Sequence, residues 1–155
     1  MYSKITTSSV VGVDAEIVTV ETDLSPGLPS MTIVGLPDIS VREARERIRA
    51  ALLNAGYRFP SKRITVNLSP ASSRKEGTHF DLPIAIGVMT ASGDISPEEA
   101  VRYAFIGELS LDGRVTPVQG AIALAIGLRN KGVEKLFLPA GNKLEVSILK
   151  DIEIL

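Results

Sequence analysis

Apolar side chains in this chain follow two different periods, and the order in which those periods occur limits the fold. Over the first 35 residues they alternate. Ala15, Ile17 and Thr19 oppose Glu16, Val18 and Val20, and Met31 and Ile33 oppose Thr32 and Val34. A two-residue repeat rich in β-branched side chains signals strands. Strands are therefore expected at about 3–11, 14–23 and 29–35, with Gly12 in the first turn and Ser25-Pro26-Gly27-Leu28-Pro29 as a break. From residue 41 the period lengthens. Val41, Ala44, Ile48, Ala51, Leu52 and Ala55 fall on one helical face. Ser40-x-x-Glu43 reads as a capping box and Gly56 as a stop, which gives a helix over 40–55.

The interleaving continues. Ile64, Val66 and Leu68 alternate with Thr65, Asn67 and Ser69, a half-buried strand at 63–69 followed by a polar loop to Gly77. A second helix is expected over about 82–92, with Asp81 as its N-cap and Pro83 in its first turn, where a missing N–H costs little. Asp112-Gly113, between Tyr103–Leu111 and Arg114–Val118, is a hairpin signal. A helix over 119–131, a strand over 133–138, a short helix near 141–149 and a strand at 151–155 complete the pattern. With 155 residues the chain has the length of one ordinary domain. The expected fold is α/β (α+β), a mixed β-sheet with helices packed mainly on one side. The last strand is apolar to its end, so a truncation is expected after Leu155.

Composition narrows the chemistry. The absence of cysteine excludes disulfides, Cys-ligated zinc and thiol nucleophiles, and fits a reducing cytoplasm. Met1-Tyr2-Ser3-Lys4 carries no secretory signal, and no apolar run approaches the roughly 18 residues that span a bilayer. A cytoplasmic location with no membrane partner is expected. One histidine leaves no metal-ligand spacing. No G-x-x-x-x-G-K-[ST] occurs, so no P-loop is present.

Charge is uneven. Arg42, Arg45, Arg47, Arg49, Arg58, Lys62, Arg63, Arg74 and Lys75 face only Glu43 and Glu46 within 42–75, a local charge of +7 in a chain of net −1. Arg42, Arg45 and Arg49 fall within about 60° on a helix. They form either a solvated face partly neutralised by Glu46, or a contact for a neighbouring subunit, a motor domain or nucleic acid. Arg58, Lys62, Arg63, Arg74 and Lys75 flank a strand and its exit loop, either as ordinary surface or as phosphate contacts. Tyr57 and Phe59 interleave with Arg58 in a way that suits stacking on single strands, although Phe59 before Pro60 equally suits the core.

Three runs resemble a known family: Gly35-Leu36-Pro37-Asp38, then Arg63-Ile64-Thr65-Val66-Asn67-Leu68-Ser69-Pro70, then Lys75-Glu76-Gly77-Thr78-His79-Phe80-Asp81-Leu82-Pro83-Ile84-Ala85. They are similar to the N-terminal domain of the ComM/YifB proteins, magnesium-chelatase-like AAA+ ATPases, over essentially the whole chain. The resemblance implies a Lon-protease-like fold and, in the parent protein, a downstream AAA+ motor with ATP and Mg as its cofactors. It implies homo-oligomeric neighbours, a hexamer in the parent, and a link to DNA branch migration in natural transformation. No cofactor is implied for these 155 residues themselves.

A wider similarity bears on catalysis. Ile106-Gly107-Glu108-Leu109-Ser110-Leu111-Asp112-Gly113-Arg114-Val115 resembles the hairpin that precedes the catalytic lysine of Lon peptidases. In that pattern the nucleophilic serine falls at His79 and the lysine at Ile122. An isoleucine cannot take a proton from a nucleophile, so peptidase activity is not expected. Ile122 sits in Ala121-Ile122-Ala123-Leu124-Ala125-Ile126, whose apolar density suggests burial on most faces. His79 is either a functional contact or a residue bonded to backbone where a helix begins. Gly77 and Gly120 are expected to serve backbone geometry. The expected function is a non-catalytic module of a larger motor that aids assembly or DNA engagement. A divergent hydrolase using His79 and a purely structural oligomerisation domain are the alternatives.

Overall fold

The alternating segments form a seven-stranded sheet. The structure, a computed structural model, describes all of residues 1–155. β1 (Tyr2–Val11) and β2 (Asp14–Ser25) pair antiparallel, with Ile5 opposite Val20 and Thr7 opposite Val18. β4 (Arg63–Ser69) adds antiparallel to β2, and β3 (Ser30–Val34) closes that edge parallel to β4. On the other side of β1 come β5 (Ala104–Phe105), β8 (Lys135–Phe137) and β9 (Glu153–Ile154), all parallel. The order is β3-β4-β2-β1-β5-β8-β9, a mixed sheet as expected.

The strand period of two divides the core. Ile5, Val18, Val20, Ile64, Val66 and Leu68 point to one face, where they pack with Val41 of α1 (Ile39–Arg42) and with Ala44, Ile48, Ala51 and Leu52 of α2 (Ala44–Asn54). Ile84, Ala85 and Val88 of α3 (Asp81–Ala91) and Ala100 of α4 (Pro97–Ala100) join the same core. The opposite face carries Ile17 against α5 (Ala121–Asn130), with Leu136 of β8 and Val146 of α6 (Lys143–Val146). Burying each large aliphatic side chain contributes roughly 1.5–3 kcal/mol before entropy is counted. No helix is long and apolar enough to cross a membrane.

Several local expectations are corrected. The helix over 40–55 is two helices, joined at Glu43. Its cap is Asp38, whose Oδ1 accepts from Val41 N–H at 2.9 Å and from Ser40 Oγ at 2.8 Å. Ser40 therefore lies inside the first turn, and the Ser40–Glu43 box does not form, because an equally good capping residue stands two positions earlier. Asp81 is not a cap either. It lies in the first turn of α3, after a short 3-10 turn over Thr78–Phe80. The run from Tyr103 to Leu111 divides: β5 joins the large sheet, while β6 (Glu108–Leu109) pairs with β7 (Val115–Thr116) in a separate hairpin. Its turn is closed by Gly113 N–H on the Ser110 carbonyl at 3.0 Å. α4 was not expected. Ser96 precedes Pro97 at the first helical position, with Glu98 and Glu99 in the first turn, a readable helix start.

Candidate functional site

His79 lies in the 3-10 turn between loop 70–77 and α3. Gly77 enters that turn at φ +104°, and a Cβ there would stand 2.9 Å from His79 Nδ1, so this bend needs glycine. Gly120, before α5, is also left-handed at φ +72°. The imidazole is 6% exposed and rests on the Phe80 ring at 4.2 Å between centroids. Its Nε2 stands 2.8 Å from the Ser8 carbonyl oxygen on β1, so Nε2–H donates there. Burial pushes the imidazole pKa down to about 4, only partly offset by the Ser8 bond. The ring is neutral near pH 7 and committed to a backbone carbonyl. Of the two readings of His79, this geometry supports the backbone-bonded residue.

Ile122 corrects an expectation. It is half-buried at the margin of the core formed by Ala121, Leu124, Ala125 and Leu128, while Ala123 and Asn130 of the same helix face solvent. α5 covers the sheet with one face and leaves Ala123 and Asn130 exposed on the other. Ile122→Lys is therefore expected to lower stability by only about 1–2 kcal/mol, since the lysine stem can follow the helix while its ammonium reaches water. Thermal melts together with a casein assay check this. A melt unchanged from wild type, accompanied by casein cleavage, would restore the peptidase reading.

The basic residues separate into distinct groups. Lys75 is wholly buried. Its ammonium donates to the Pro70 carbonyl and, at 2.6 Å, to the Ser73 carbonyl, so the expected polar loop is wrapped around its own lysine. Burial pushes its pKa down, with Glu16 opposing. Lys75 is thus withdrawn from the expected contact set. Arg47, at the i+3 spacing from Ala44, points inward and forks onto Asp81 at 2.7 and 3.0 Å. Asp81 Oδ2 also accepts from Leu109 N–H at 3.1 Å, and Arg47 Nη2 donates to the Ser40 carbonyl at 2.9 Å. One ion pair therefore ties α1, α2, α3 and the hairpin together. Its signal in the sequence is the spacing of Arg47 on the apolar face.

The remaining cations are exposed. Arg74 pairs with Glu76 at 3.0 Å. Arg42, Arg45, Arg49, Arg58, Lys62 and Arg63 make no ion pair, and Glu46 neutralises neither Arg42 nor Arg49. The break at Glu43 also divides the arginine stripe. Arg42 shares a cleft with Arg74 beside Leu36–Ile39. Arg45 and Arg49 line a groove of about 530 Å³ between β3 and α2, floored by Met31, Leu53 and Phe59. Arg63 alternates with the inward Ile64 and so lies on the opposite sheet face. No three His, Asp or Glu side chains converge as a metal set.

Comparison with known proteins finds a family and several relatives for this sequence. Residues 20–142 match the family described as subunit ChlI of Mg-chelatase. The chain is 43% identical over 143 residues to a protein of Escherichia coli K12 named YifB and described as uncharacterized, covering 92% of this chain and 28% of that protein. It is 45% identical over 140 residues to the competence protein ComM of Haemophilus influenzae, covering 90% of this chain and 27% of that protein. A more distant likeness, 25% identity over 146 residues, links 90% of this chain to 18% of a Lon protease of Rhizobium meliloti. The chain thus spans about a quarter of the length of the ComM and YifB relatives it matches. The match over residues 20–142, together with 43–45% identity to YifB and ComM along nine-tenths of the chain, leads to one assignment: this chain belongs to the Mg-chelatase ChlI-subunit family.

Proposed function

We propose that this chain is a non-catalytic, cytoplasmic module of a ComM-like AAA+ ATPase, and that it helps the parent engage DNA during branch migration in transformation. The observation that carries this reading is the set of six exposed cations without carboxylate partners, in a chain whose net charge is only −1. His79 and Ile122 supply no nucleophile and base, and no residue run here is a P-loop. ATP and Mg chemistry is accordingly assigned to other parts of the parent. Fluorescence anisotropy with labelled DNA at several salt concentrations tests the reading. Each neutralised phosphate contributes roughly −0.7 to −0.9 to the slope of log K against log salt, so three to five contacts give about −2 to −5. Arg58→Ala/Lys62→Ala/Arg63→Ala should flatten that slope. Absence of binding even at low salt would sink the proposal.

Contact with neighbouring subunits in a parental hexamer is the second reading. It is favoured by Leu144 on α6 and Ile148 in the turn that follows it, which are 85% and 74% exposed. Sedimentation of the parent protein with Leu144→Ser/Ile148→Ser would show a smaller assembly under this reading and an unchanged one otherwise.

A further inference from the structure

We propose that the groove between β3 and α2 holds one unpaired nucleotide of a single-stranded nucleic acid, with the base on Phe59, Leu53 and Met31 and the phosphate on Arg45 and Arg49. The inference rests on the DNA engagement proposed above and names the form of strand that the surface selects. The groove, about 530 Å³, combines an apolar floor with two guanidinium groups that make no ion pair. A pocket of that size suits a nucleotide. Arg45 is held at the wall, with Nη1 on the Met31 carbonyl at 3.3 Å and Nε on the Arg42 carbonyl at 3.2 Å. Glu46 also lines the groove and opposes them with one charge. Arg58 precedes Phe59 in the chain and Lys62 follows shortly after, both exposed.

The backbone adds a donor. Ser30 N–H bonds the Lys62 carbonyl at 3.3 Å, so residues 30, 32 and 34 turn their backbone groups toward β4. The backbone groups of Met31 and Ile33 therefore point away from β4, at the sheet edge. The Met31 carbonyl is taken by Arg45, which leaves Met31 N–H open beside the groove. Guanidinium groups fork onto phosphate oxygens and also stack on π faces. A base has such a face and an acidic side chain does not, so the apolar floor favours a nucleotide over a purely acidic peptide. In a duplex the bases are paired and only phosphates would reach the arginines. The groove therefore discriminates single strand from double strand.

The test compares three labelled probes by anisotropy: an oligothymidylate, the same backbone made abasic, and a duplex of equal length. Wild type should bind thymidylate at least about fivefold more tightly than the abasic strand, with equal salt slopes, because stacking is uncharged. Phe59→Leu, which keeps an apolar side chain in the core, should narrow that difference to about twofold or less. Arg45→Gln/Arg49→Gln should weaken both strands and reduce the salt slope by about 1–2. The abasic comparison alters the probe alone, so it stands even if a variant is poorly folded. Equal affinity for thymidylate and abasic strand, or equal affinity for strand and duplex, would overturn the inference while leaving DNA binding intact. Binding of no strand at all would instead remove the broader function. Displacement of thymidylate by polyglutamate at equal residue concentration would assign the groove to an acidic peptide and overturn the nucleotide.

Discussion

Arg47→Met is expected to lower the unfolding free energy by about 3–5 kcal/mol, the range for breaking a buried pair by removing one member. Asp81 is the more deeply buried partner, with its side chain 1% exposed against 21% for Arg47. Removing the arginine strands a carboxylate whose remaining contact is Leu109 N–H at 3.1 Å. Asp81→Asn should cost less, about 1–3 kcal/mol, because Arg47 keeps some access to water. Against a total stability of about 5–15 kcal/mol, the larger loss is readily measured by urea melts. Burial already pushes the Asp81 carboxyl above its ordinary range, and the Arg47 fork pulls it back. Without Arg47 the carboxyl rises further. A carboxyl whose folded pKa is raised stabilises the fold below its unfolded pKa and loses that contribution as pH climbs through the folded value. The deficit of Arg47→Met should therefore be smallest in acid and grow toward neutral pH. A loss below about 1 kcal/mol at neutral pH would mean that the pair neither pins the helices nor holds the hairpin.

The same pair shows how far the sequence could be read. The strand at 63–69 was legible because it has one buried face, and a period of two leaves a single register that buries it. The strand expected at 14–23 and found at Asp14–Ser25 was legible from its β-branched alternation. The hairpin turn at Asp112-Gly113 was legible from its residues alone. Boundaries set by tertiary bonds were not. Asp38 wins the helix cap through its own carboxylate, and Asp81 gives up a capping role because Arg47 reaches it from 34 residues away in sequence. Lys75 misled for a related reason. A lysine in a polar loop is normally solvated, and only the path of residues 70–75 back over its ammonium buries it. The charge bias from Arg42 to Lys75 was plain. Its division between a cleft and a groove was not, because the division depends on the break at Glu43 and on the position of β3 at the sheet edge.

His79 gives the second large effect, seen as a loss of stability in acid. Its imidazole titrates at about 4 in the fold and near 6.5 in an unfolded chain. Between those values the unfolded chain takes up a proton that the native state refuses. A group whose folded pKa is depressed stabilises the protein above its unfolded pKa, and that contribution is lost as pH falls through the folded one. Wild type should therefore lose about 3 kcal/mol from this residue between pH values of about 6.5 and 4, and little more from it below that. Carboxylates titrate in the same window, so the comparison must be with His79→Gln, whose amide can still donate to the Ser8 carbonyl. The variant should show a shallower acid limb by that amount. Because the chain has one histidine, its imidazole resonances report the native pKa without ambiguity. A native value near 6.5, with parallel acid limbs for wild type and variant, would mean that the ring is solvated rather than locked to β1. Catalysis through His79 would then have to be considered again.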